Sequence, residues 1–138
     1  MEYRKHYSLL LLGRNPGQSI YVGEHLKISY ESINTETNVI HLQALYKNLK
    51  EAPLSGGHMY IRDHSKFELF HIHLDLENDI EILKNVRMFY HSRSPGGRQV
   101  ILGFDAPSSV GIWRDNVKNR TPKWERDMHE VAPSSYVF

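Results

Sequence analysis

Apolar and polar positions along this chain alternate in short runs broken by turn residues, and the clearest run lies near residue 100. Val100, Leu102 and Phe104 alternate with Gln99, Ile101 and Gly103, which predicts one buried strand with two apolar faces or a packed edge. Asp105-Ala106-Pro107-Ser108 follows as a turn, because proline fixes φ and Asp and Ser bond local backbone. Val110, Ile112 and Arg114 then share one face of a second strand, with Gly111 and Trp113 on the other. Asp115 stands where a helix N-cap belongs. The front of the chain reads the same way. Leu9-Leu10-Leu11-Leu12-Gly13-Arg14 is a short strand ending in a basic residue, Asn15-Pro16-Gly17-Gln18 a turn, Ser19 to Val22 a second strand, and His25 to Tyr30 a third. Short strands between tight turns predict a small antiparallel meander or barrel.

The middle is mixed. Val39, Leu42, Leu45, Tyr46 and Leu49 recur at helical spacing, so Asn38 to Glu51 is expected to be an amphipathic helix, ended by Ala52-Pro53. His58 to Arg62, Asp63 to Lys66 and Phe67 to Leu74 predict a β-hairpin. Residues 79–92 fit a strand or a helix. A strand after Asn85 is favoured, because Val86 to His91 alternate and lead through Ser94-Pro95-Gly96-Gly97 into the run at Gln99. Residues 121–138 are expected to be a tail.

With 138 residues, 40% of them apolar and 24% charged, one globular domain is expected. The absence of cysteine excludes a disulfide framework, thiolate metal sites and cysteine nucleophiles, and suits a reducing cytoplasm. Four leucines in a row are too few for a secretory or membrane segment. The net charge of +1 hides an asymmetry: residues 1–30 and 93–138 each carry +2, and residues 31–92 carry −3. Basic ends folded together could meet a polyanion.

Two blocks carry a family resemblance. Leu10-Leu11-Leu12-Gly13-Arg14 with Gly17-Gln18-Ser19-Ile20-Tyr21-Val22-Gly23-Glu24 is similar to the opening of the carbon storage regulator (CsrA/RsmA) family of bacterial translational regulators. Gln99-Val100, Leu102-Gly103, Ala106-Pro107, Val110, Ile112 and Arg114-Asp115 resemble its second half. The spacing within each block matches without gaps. The resemblance implies a mainly β fold, an interlocked antiparallel β-sheet or barrel homodimer with a short C-terminal helix over Asp115 to Arg120. The RNA-binding β core would come from residues 9–30 and about 86–120. An α/β insertion would lie between strands, over about residues 31–85.

In the family, the first and last strands of two subunits pair, and an arginine on each lines a site for GGA sequences in RNA loops. Carried onto this chain, the RNA-binding residues are Leu12, Gly13, Arg14, Ser108, Ser109, Val110, Ile112 and Arg114. Arginine can grip guanine or phosphate bidentately, and RNA sequence is read in unpaired loops where base edges are free. The resemblance thus implies a cytoplasmic, non-enzymatic regulator of translation or mRNA stability, with mRNA, small regulatory RNA and a protein antagonist as candidate partners, no cofactor and no membrane. Three positions depart from the pattern: Gly13 replaces a threonine, Asn15 a second basic residue, and Ser108 a basic residue after the Ala-Pro turn. Each loss weakens phosphate attraction. The alternative is a protein-interaction module on the same β core, with the acidic insertion docking a partner.

Other chemistry is thinner. His71, His73 and Asp75 share a face if Phe67 to Leu74 is a strand, a spacing that could hold an ion and is equally that of a half-exposed strand. Ser108 and Ser109 lack a Gly-x-Ser-x-Gly elbow, and there is no phosphate loop.

Overall fold

The structure, a computed structural model, describes residues 7–48 and 53–115. Ten strands run through them: β1 (Tyr7–Arg14), β2 (Ser19–Val22), β3 (Leu26–Asn34), β4 (Val39–Lys47), β5 (His58–Arg62), β6 (Ser65–Leu74), β7 (Asp79–Leu83), β8 (Val86–Arg93), β9 (Val100–Pro107) and β10 (Ile112–Arg114). All ladders are antiparallel, and no helix occurs among the described residues. They build a four-stranded sheet, β1-β9-β8-β7, and a six-stranded sheet, β10-β2-β3-β4-β6-β5.

Alternation makes the core. Ile20, Ile28, Leu42, Ile72, Met88, Leu102 and Phe104 are all essentially inaccessible and join a single cluster drawn from both sheets. Each such side chain contributes roughly 1.5–3 kcal/mol on burial. Tyr46 ties the sheets together: its hydroxyl donates to the Ile82 carbonyl at 2.5 Å.

The two halves of the chain are built alike, with an offset of 60 residues. Ile20 pairs with Ile28, and Ile80 with Met88. Tyr30 pairs with Leu42, and Tyr90 with Leu102. The register then slips between Tyr30 and Ser32 in one half and between Tyr90 and Ser92 in the other. The halves also exchange first strands. β1 joins the second half through Leu12 opposite Leu102, and β6 joins the first through Ile72 opposite Leu42. Two strand meanders therefore interlock within one chain.

This corrects the expected α/β insertion. Its described residues between 31 and 85 include the end of β3, then β4, β5, β6 and β7, and they are shared by both sheets. The expected helix from Asn38 is strand β4. Ile40, Leu42, Ala44 and Tyr46 face the core with period two, while Leu45 packs with Phe67 on the opposite face. Apolar residues on both faces of a central strand imitate helical spacing. One chain closes a core drawn from both sheets. The expected helix over 115–120 and the tail lie beyond Asp115, outside the described residues.

Candidate nucleic-acid interface

β1 and β10 are the end strands of the two sheets, and they meet at one corner. Arg14 closes β1. Its side chain follows Leu10 and Leu12 on the inward face, so the guanidinium crosses to the other sheet and is only 4% exposed. Nη1 donates to the Asp115 carboxylate at 2.9 Å and to the Ser19 carbonyl at 3.4 Å, and Nε donates to the Gly13 carbonyl at 2.7 Å. The other Asp115 oxygen accepts the Ser19 backbone N–H at 2.8 Å, and the Asp115 N–H returns to the Ser19 carbonyl at 3.1 Å. Asp115 thus caps a two-sheet junction. Desolvation pulls the Arg14 pKa down, Asp115 pulls it back, and the nearby positive charge of Arg114 lowers it again. Arginine remains charged throughout.

Arg114 lies opposite Ile20 and is half-buried. Beside it, Trp113 tilts against Tyr21 with centroids 6.2 Å apart. Its indole Nε1 is buried with no partner among the described residues. Ser108 and Ser109 are exposed in the turn after β9. The Val110 N–H donates back to the Pro107 carbonyl at 3.0 Å, and Gly111 accepts the Gly23 N–H at 2.7 Å. Val110 and Ile112 pack on the core from its rim. Leu12 is 7% exposed and belongs to the core, and Gly13 is half-exposed beside the Gln99 side chain.

The structure therefore brings Arg14 and Arg114 together, with Gly13 next to the first in β1 and Ser108 to Ile112 leading to the second. It assigns Leu12 and Arg14 to packing. Their burial follows from alternation in β1, where every second side chain faces inward. Only the exposed members can meet a ligand without rearrangement.

Sequence reasoning missed the cleft next door. It has a volume of about 320 Å³ and is lined by Gly17, Ser19, Lys27, Ser29, Tyr30 and Glu31. Ser19 and Ser29 share a hydroxyl hydrogen bond of 2.9 Å, and Glu31 accepts the Gln43 side-chain amide at 2.9 Å. Gly17 opens the cleft with φ of +90°, a conformation that glycine adopts at little cost. The alternation of Lys27, Ser29 and Glu31 was the available signal.

The histidine face holds no metal-ligand set. His73 stacks on His41 with centroids 4.2 Å apart, and Asp75 instead accepts the Glu77 and Asn78 backbone N–H groups. Among the described residues no three His, Cys, Asp or Glu side chains converge on a common point. No helix among them is long and apolar enough to cross a membrane.

Comparison with protein-family models, with curated proteins and with solved structures finds no match for this chain.

Proposed function

We propose that this chain is an RNA-binding regulator of the carbon storage regulator type, reading GGA-containing loops in mRNA leaders or small RNAs to control translation or mRNA stability. The observation that carries the reading is the meeting of the end strands β1 and β10 at the Arg14–Asp115 pair, with the half-buried Arg114 at the rim beside it. Each end strand has a ladder partner on one side only among the described residues, so each offers backbone donors and acceptors along its other edge. Extended RNA laid on such edges can have its unpaired bases read by backbone groups from Ser108 to Ile112. Arg114 supplies the cation for guanine or phosphate. Arg14 acts from beneath, holding β10 and β1 together. The resemblance expects two subunits to form such a corner, and here one chain supplies both strands.

A protein-docking reading is favoured by one observation, the 67% exposure of Leu9 and 42% exposure of Leu11 on the outward face of β1. The two readings separate in fluorescence anisotropy with a GGA-loop hairpin and a loop-mutated control, at low and moderate salt. Regulator function requires preference for GGA, and Arg114→Ala should weaken it by roughly 10–100-fold and lower the salt slope by about one. Equal binding to both loops, or none by the folded chain, would defeat the RNA reading.

A further inference from the structure

The fold repeats the strands that lead into the β1–β10 corner, β6 for β1 and β7 for β2, but the sequence equips the corner once. The offset of 60 that relates the halves places Leu74 where the first half has Arg14, and Leu74 is buried in the core. By count along the sequence, the same offset gives Leu54 for Arg114 and Ser55 for Asp115. Leu54 packs on the core. The second corner therefore lacks both arginines and the carboxylate that joins its strands. β7, the counterpart of β2, ends its sheet with no further strand among the described residues, whereas β2 carries β10.

Charge separates the corners a second time. Asn15 to Tyr21 contains no charged side chain, whereas the equivalent Asp75 to Glu81 contains Asp75, Glu77, Asp79 and Glu81. Asp79 is answered by Arg87, at 2.8 and 3.1 Å. Glu77 and Glu81 are exposed. A phosphate backbone following the second corner would meet carboxylates in place of guanidinium, and like charges at close range repel it.

We propose that the chain binds one RNA, at the β1–β10 corner alone, and that the Asp75–Glu81 corner excludes RNA. This rests on the RNA-binding reading above and adds to it an asymmetry between two halves of like fold. Its physical basis is that the interlock needs only apolar residues at the alternating core positions, which both halves keep. RNA binding needs cations at the rim, which one half has.

The test is a titration of the full chain, well above the dissociation constant, with a GGA-loop hairpin carrying 4-thiouridine. Native mass spectrometry reads RNA per chain, and crosslink mapping reads the place. One RNA per chain, crosslinked within residues 12–14 or 108–114, is expected. Two RNAs per chain, or a single RNA crosslinked within 72–81, would overturn the asymmetry and leave RNA binding standing. Absence of any complex with folded protein would remove both.

Discussion

Tyr30 and Tyr90 occupy the same place in the two halves, and each hydrogen-bonds to the opposite half at equivalent positions. The Tyr30 hydroxyl donates to the Arg98 carbonyl at 2.6 Å, and the Tyr90 hydroxyl donates to the Asn38 side-chain oxygen at 2.7 Å. Asn38 and Arg98 are themselves 60 residues apart. Both rings are buried, and both precede a register slip in their strand. The phenols fasten the loop entering the fourth strand of one half to the third strand of the other. Tyr30→Phe and Tyr90→Phe should each lower stability by about 1 kcal/mol, measured by urea unfolding, because each leaves a hydrogen-bond acceptor without its donor. Equal stability in both variants would show that water replaces the phenols without loss.

Asp115 should matter to stability more than a carboxylate that is partly exposed normally does. Its removal leaves the buried Arg14 guanidinium without a counter-charge and frees the Ser19 N–H. Asp115→Ala is expected to cost about 2–4 kcal/mol, and pairing it with Arg14→Met should recover part of that loss. A double variant as unstable as the sum of the single ones would mean that the ion pair is not the source of the cost.

Stability should fall in strong alkali. Burial raises the pKa of Tyr30, Tyr46 and Tyr90 above the ordinary 10.0, most strongly for Tyr46. A folded-state pKa above the unfolded one means that the stabilisation is whole below pH 10 and is lost as the pH rises past it. Tyr46→Phe should flatten this decline in unfolding curves taken between pH 9 and pH 11, the order of range set by tyrosine titration. An unchanged alkaline slope in that variant would remove Tyr46 as its source.

Gly103 and Phe89 should be energetically coupled. They face each other across β8 and β9, and a Cβ on Gly103 would fall within the Phe89 ring. The ring covers the glycine backbone, as aromatic residues do beside strand glycines. Gly103→Ala alone should cost roughly 1–3 kcal/mol by overpacking. In the Phe89→Ala background the same change should cost less, with a coupling energy on the order of 1 kcal/mol from a double-mutant cycle. Additive losses would show that the ring moves aside freely.

The β class was legible in the sequence because alternation is local. Leu26, Ile28 and Tyr30, or Val86, Met88 and Tyr90, announce one buried face whatever they pack against. Turns such as Asn15 to Gln18 and Ser94 to Gly97 were legible for the same reason, since proline and glycine act on their own backbone. β4 was not, because a strand buried on both faces loses the alternation that marks it. The internal repeat was present in Ile20 and Ile80, Val22 and Ile82, and Tyr30 and Tyr90, but few of its positions are identical. The core constrains size and polarity more than identity.

The sequence by itself determined that strands would form and that two arginines would end two of them. Only tertiary structure decided that these strands come from opposite sheets of one chain, and that Arg14 turns inward to Asp115 while Arg114 stays at the rim. Which strands pair is set by long-range burial, and the side a residue faces is set by its register in that pairing. A shift of one position would have reversed both arginines.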